Sequence, residues 1–141
     1  MKELKLVIDA NILVSAYSAT GRINDLWKSG LTPHQLMISP EIFAEVERTL
    51  RQAEFHLAPN EIKERLKDIL ERCVLVRPKA RFNGEIADEK DRHLANLALE
   101  VGADRILTGE TALKKSVTIA GTSVMSFAEF ASQKSRASRT P

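Results

Sequence analysis

Short β-rich apolar runs and amphipathic helical patterns alternate along the whole chain, and this alternation restricts the fold more than any other feature of the sequence. Leu4 to Ile8 suits a strand buried on both faces. Asp9, Ala10 and Asn11 break it, and a short helix follows over Ile12 to Tyr17. Ile23, Leu26, Trp27 and Leu31 sit at helical spacing in Gly21 to Leu31, which ends near Gly30. Leu36 to Ser39 is a second strand. Ser39 and Pro40 then start a helix as N-cap and first helical residue, with Ile42, Phe43, Val46 and Leu50 as its buried stripe. Pro59 and Asn60 open another helix, with Ile62, Leu66, Ile69, Leu70 and Cys73 on one face. Val74 to Val76 is a strand, Arg77 to Ile86 a loop, and Asp88 to Val101 a helix closed by Gly102. Strands over Arg105 to Thr108 and Thr122 to Met125 follow. Ser126 and Glu129 form a capping box at the head of a last helix. The expected fold is a three-layer α/β/α domain over residues 1–131 with a mainly parallel central sheet, and a basic, flexible tail over 132–141.

Composition narrows the function classes. Of 141 residues, 43% are hydrophobic and 28% charged, enough for one core and ordinary for a globular chain. No apolar run reaches the roughly 18 residues that span a bilayer, and Met1 to Lys5 leads straight into a strand pattern, so neither membrane nor signal segment is expected. The lone Cys73 has no internal disulfide partner, which makes a cytoplasmic setting the default. Basic residues number 21 and acidic ones 19; without Lys134, Arg136 and Arg139 of the tail, the body holds 18 against 19. A nucleic acid would thus be met by local patches, by a metal or by the tail, not by a basic field over the whole protein.

In parallel α/β sheets, working groups gather beyond the carboxyl ends of the strands. Asp9 ends the first strand, and Glu110 follows Arg105 to Thr108. Asp88 and Asp91 occupy the first turn of the helix feeding that strand, and Glu45 the second turn of the helix after Leu36 to Ser39. All five fall on one sheet edge. Each also has a plain reading. Asp9 can cap the next helix, Asp88 reads as an N-cap, Glu45 can be a solvated helix residue, and Glu110 can end a turn. Asp91 is harder to dismiss, because stepping back along the face of Leu94, Ala95, Ala98 and Val101 lands on it. A carboxylate there needs a cation or donors, and spacing obliges no basic residue to supply them. Acids crowded without counter-charge repel, raising some of their pKa values, and a divalent cation relieves this. Oxygen donors without paired His or Cys favour Mg²⁺ or Mn²⁺ over Zn²⁺. Such a site suits phosphodiester hydrolysis, the ion activating a water and neutralising phosphate charge.

Four stretches carry a resemblance: Val7 to Ala16 with Asp9 and Asn11, Ser39 to Val46 with Glu45, Asp88 to Ala95 with Asp91, and Gly102 to Glu110 with Thr108. In this order and spacing, over residues 4–130, the chain resembles the PIN-domain metal-dependent nucleases, many of them toxins of bacterial toxin–antitoxin pairs. The resemblance implies a PIN-like endoribonuclease using Mg²⁺ or Mn²⁺, a cognate antitoxin and a homodimer. It implies that Asp9, Glu45, Asp91 and Glu110 hold the metal and carry catalysis, with Asn11, Thr108 and Asp88 as supports. Two positions depart from the pattern. Glu110 stands where the family more often has Asp or Asn, and Lys90 where a further Asp is frequent.

Two rival classes remain. Asp9 as a covalent nucleophile would give a haloacid-dehalogenase-like phosphohydrolase, but that chemistry wants a second Asp where Asn11 stands. A non-catalytic RNA-binding module would keep the acids and lose turnover. His34, His56 and His93 sit in unrelated contexts; helical geometry puts His93 about 200° from Asp91. Arg92 and Arg105 are read as solvated, with phosphate contact the other option. The run Arg72, Arg77, Lys79 and Arg81 is read as a charged loop or an RNA guide. Trp27 is read as core, or else as a dimer contact. The aromatics show no interleaved stacking pattern of a sheet-based RNA reader.

Overall fold

The computed structural model describes residues 3–18, 34–86, 88–109, 118–130 and 132. The helix expected at Gly21 to Leu31, Trp27 within it, Glu110 and all of the tail beyond Ser132 lie outside these residues.

Strands β1 (Lys5–Ile8), β2 (Gln35–Ile38), β3 (Cys73–Leu75), β4 (Arg105–Leu107), β5 (Thr118–Ile119) and β6 (Thr122–Met125) form one sheet in the order β3-β2-β1-β4-β6-β5. Every neighbouring pair is parallel except β5 with β6. Leu6, Val7 and Ile8 of central β1 are all fully buried. Successive strand residues point to opposite faces, so both faces of the sheet are covered, as the β-rich pattern of this run requires. The expected α/β architecture with a mainly parallel sheet is the observed one.

The helices are α1 (Ala10–Ser18), α2 (Pro40–Leu50), α3 (Pro59–Arg72) and α4 (Arg92–Val101). Helix α2 starts where Ser39 Oγ accepts the Ile42 amide at 3.3 Å, with Pro40 next to it. Its Ile42, Val46 and Leu50 are fully buried, each burial contributing about 1.5–3 kcal/mol. Helices α1 and α3 are pinned together by the Tyr17 hydroxyl, which donates to Asp68 at 2.6 Å, and by Arg65 Nε, which donates to the Tyr17 carbonyl at 2.8 Å. Gly102 closes α4 at φ 64°, a left-handed conformation that glycine enters without a Cβ clash. At the head of the helical stretch 127–130, the Ser126 hydroxyl accepts the Glu129 amide at 3.0 Å.

Three expectations need correction. Leu70 is not on the buried face of α3 but 45% exposed, and Cys73 is buried as the first residue of β3. The segment from Asp88 is not one α-helix: a 3-10 turn, Glu89–Asp91, precedes α4. Asp88 caps that turn, its Oδ1 accepting the Lys90 amide at 3.1 Å. Strand β5 was not foreseen. It is two residues long and joins β6 through Ala120 and Gly121, at φ 52° and 77°, a pair of left-handed residues that suits a tight hairpin.

No described helix is long and apolar enough to cross a membrane.

Candidate active site

From β1 the chain proceeds to β2 and β3 on one side, then returns to β4 on the other. The connections leaving β1 and β4 therefore diverge, which opens a crevice at their carboxyl ends. Asp9 and Thr108 are the residues that follow these two strands. The Asp9 amide donates to the Leu107 carbonyl at 2.9 Å, and the Thr108 amide to the Met125 carbonyl at 3.0 Å, so sheet pairing extends one residue into the site.

The Asp9 carboxylate is held at both oxygens. Oδ1 accepts the Ala10 amide at 2.7 Å, and Oδ2 accepts the Thr108 hydroxyl, also at 2.7 Å. The plain capping reading of Asp9 thus accounts for one oxygen only. Thr108 is 1% exposed, so its hydroxyl is fixed by packing. Gly109 lies against Asn11: a Cβ added to Gly109 would come within 2.7 Å of Asn11 Nδ2.

Above this floor is a cleft of about 570 Å³ lined by Asp9, Ala10, Asn11, Glu41, Ala44, Glu45, Arg48, Lys90, Asp91 and His93. One wall is α2, presenting Glu41, Glu45 and Arg48 at one-turn spacing; the other is the 3-10 turn and the start of α4. Asp9, Glu45 and Asp91 are therefore brought to one cleft from three distant parts of the chain. Thr108 touches it through Asp9, and Asp88 does not line it. Glu110 lies outside the described residues.

Sequence reasoning passed over Glu41 and Arg48 among the lining side chains, and it set His93 away from the site. Glu41 is one helical turn before Glu45, and Arg48 one turn after, a spacing readable once α2 was placed. Arg48 supplies counter-charge where none was expected: it pairs with Glu45. Lys90 and His93 also line the cleft. His93, in the first turn of α4, lines the cleft together with Asp91 of the preceding 3-10 turn. Its Nδ1 is buried and has no hydrogen-bond partner among the described residues. Arg92 is committed elsewhere, to Glu89 and to the carbonyls of Phe82 and Gly84. The bond from Arg92 holds the exposed Glu89 carboxyl below its ordinary value. Arg105 stands at the amino end of β4, on the opposite sheet edge, so neither arginine reaches the cleft.

Aspartate and glutamate oxygens are the donors a hard cation takes. Among the described residues, however, no three His, Cys, Asp or Glu side chains are grouped closely enough to hold one ion. Like charges stand apart, and Glu45 is drawn to Arg48. The donor chemistry fits Mg²⁺ or Mn²⁺, and the Arg48 pair engages one Glu45 oxygen, Oε2. A thiol nucleophile is not offered, since burial pushes the Cys73 thiol up to about 12 and keeps it protonated.

A cleft at the switch point of an α/β sheet is where such folds bind ligands, and the sequence comparison gives the family. A PIN-domain model matches residues 5–112, and the chain belongs to the PIN-domain family. Among solved structures it is similar to a chain of VapBC2 from Rickettsia felis bound to a DNA fragment from their promoter. The TM-score is 0.59 at 17% identity, covering 86% of this chain and 97% of that one, a likeness of fold. No curated protein sequence matches the chain.

Proposed function

We propose that this PIN-domain protein is a metal-dependent endoribonuclease that hydrolyses RNA phosphodiester bonds, and that it acts as the toxin of a type II toxin–antitoxin pair in the cytoplasm. The observation that carries this reading is the convergence of Asp9 and Asp91 on one cleft, with Asp9 oriented by Thr108. Asp9, Asp91, Glu45 and Glu110 would hold Mg²⁺ or Mn²⁺. When bound, the ion supplies activation of the attacking water and neutralisation of phosphate charge. Thr108 keeps one Asp9 oxygen directed and its rotamer fixed. Asn11 offers an amide at the cleft floor, where it can donate to a phosphate oxygen or to a water. The toxin assignment, with a cognate antitoxin and a homodimer, is supported by the family and by the fold likeness to VapBC2.

The test is an RNA-cleavage assay with Mg²⁺, with EDTA and with Asp9→Asn. Cleavage lost in both latter arms is the expected result; cleavage that persists in EDTA or in the variant overturns the reading. A second reading, a PIN module that binds RNA without cutting it, is favoured by the Glu45–Arg48 pair and by the absence of a ready ion cage among the described residues. Calorimetric Mg²⁺ titration beside the cleavage assay separates the two.

A further inference from the structure

In the proposed function the acids of the cleft would take the cation, which leaves open what grips the polyanionic backbone of the RNA. The answer depends on the cations that share the cleft. Among the described residues, its lysine and arginine are Arg48 on α2 and Lys90 on the 3-10 turn, one from each wall. We propose that Arg48 and Lys90 form a two-point grip on the RNA sugar–phosphate backbone, Arg48 exchanging its carboxylate partner Glu45 for a phosphate as the acids take up cation. This inference rests on the ribonuclease reading and deepens it.

Four observations carry the proposal. The body of the protein is nearly neutral, so a polyanion must be met by local charges. Arg92, next to Lys90 and Asp91 in sequence, is held away from the cleft by Glu89 and two loop carbonyls. The Arg48–Glu45 pair is exposed, with side chains 67% and 49% accessible. A pair of that kind contributes little and breaks readily, and a guanidinium meets a phosphate with two parallel hydrogen bonds. Finally, Lys90 is anchored at its root, its amide donating to Asp88 Oδ1, while the residue is exposed and lines the cleft with Asp91.

The experiment measures binding of a labelled single-stranded RNA to the full chain carrying Asp9→Asn, in Mg²⁺, across about 50 to 300 mM salt. Arg48→Gln and Lys90→Gln are each expected to lower the slope of log affinity against log salt by about 0.7, and together by about 1.4. The loss should be similar for RNAs of different sequence, because phosphate contacts carry no base information. Lys79→Gln and Arg81→Gln on the neighbouring loop should leave the slope unchanged. An unchanged slope in the cleft variants, or a slope that falls only in the loop variants, overturns the grip. If the unsubstituted chain nevertheless cleaves RNA, the ribonuclease reading stands without the grip; if it neither binds nor cleaves, both fall.

Discussion

The Thr108 hydroxyl donates to Asp9 Oδ2 at 2.7 Å, joining two residues 99 positions apart in the chain. The bond spans the carboxyl ends of β1 and β4, and it fixes one lone pair of the carboxylate on which the proposed chemistry depends. Replacing Thr108 by Val keeps the shape and removes the donor. The expected result is a roughly 10- to 100-fold loss of metal affinity or cleavage rate with the fold retained, checked by calorimetry and RNA cleavage beside circular dichroism. Wild-type rates in this variant would show that Asp9 is oriented without Thr108.

Gly109 is the second lever on the same floor. A methyl group there would drive into the Asn11 amide, which lies at its side. Gly109→Ala should therefore lower cleavage about as much as Asn11→Ala, and the double variant should lose little more than either alone, since neighbours that act on one another are not additive. Independent, multiplying losses would contradict the contact.

The outer surface and the interior of the fold should respond very differently to truncation. Ile106 is fully buried in β4, whereas Leu70 is 45% exposed. Ile106→Ala is expected to cost about 2–5 kcal/mol, and Leu70→Ala to stay within about 0.5 kcal/mol, both read from urea midpoints.

Reading Leu70 from sequence alone fails for an instructive reason. Helix α3 repeats its apolar residues at helical spacing, and position 70 fits that repeat; but α3 runs into edge strand β3, where Val74 and Leu75 are also exposed. The pattern reports a helix and not what covers each residue. The parallel sheet, by contrast, was legible because Leu4 to Ile8 and the other strand runs are short, apolar and separated by helices. The positions of Asp9, Glu45 and Asp91 followed from the strand-edge rule alone. His93 and Arg48 did not. For His93 the expectation assumed one continuous α-helix from Asp88, whereas a 3-10 turn occupies Glu89–Asp91. For Arg48 the reason is that a helical arginine near an acid looks the same whether it faces solvent or a cleft. The hairpin at Thr118 escaped notice because two residues show no periodicity.

Glu100 gives a pH-dependent prediction away from the site. The amides of Ala80 and Lys79 donate to its carboxylate at 2.9 and 2.6 Å and lower its pKa from the ordinary value. A depressed carboxylate contributes stability that is full above the unfolded value of about 4.3 and is lost as pH falls through the folded value. Protection of these two amides from hydrogen exchange should therefore persist at neutral pH and fade only on acidification past the ordinary carboxylate range. In Glu100→Gln the protection should be reduced at neutral pH and no longer change on acidification. Protection that rises as the pH is lowered would reverse the sign and contradict the assignment.

The central claim is that Asp9 and Asp91 belong to one cation site. Titration of Mn²⁺ into the full chain, followed by the loss of free-ion electron paramagnetic resonance signal, tests it without reference to any substrate. Saturable binding that weakens by at least about tenfold in both Asp9→Asn and Asp91→Asn is the predicted outcome. Binding in either variant that matches the unsubstituted chain would show that the two carboxylates do not share an ion.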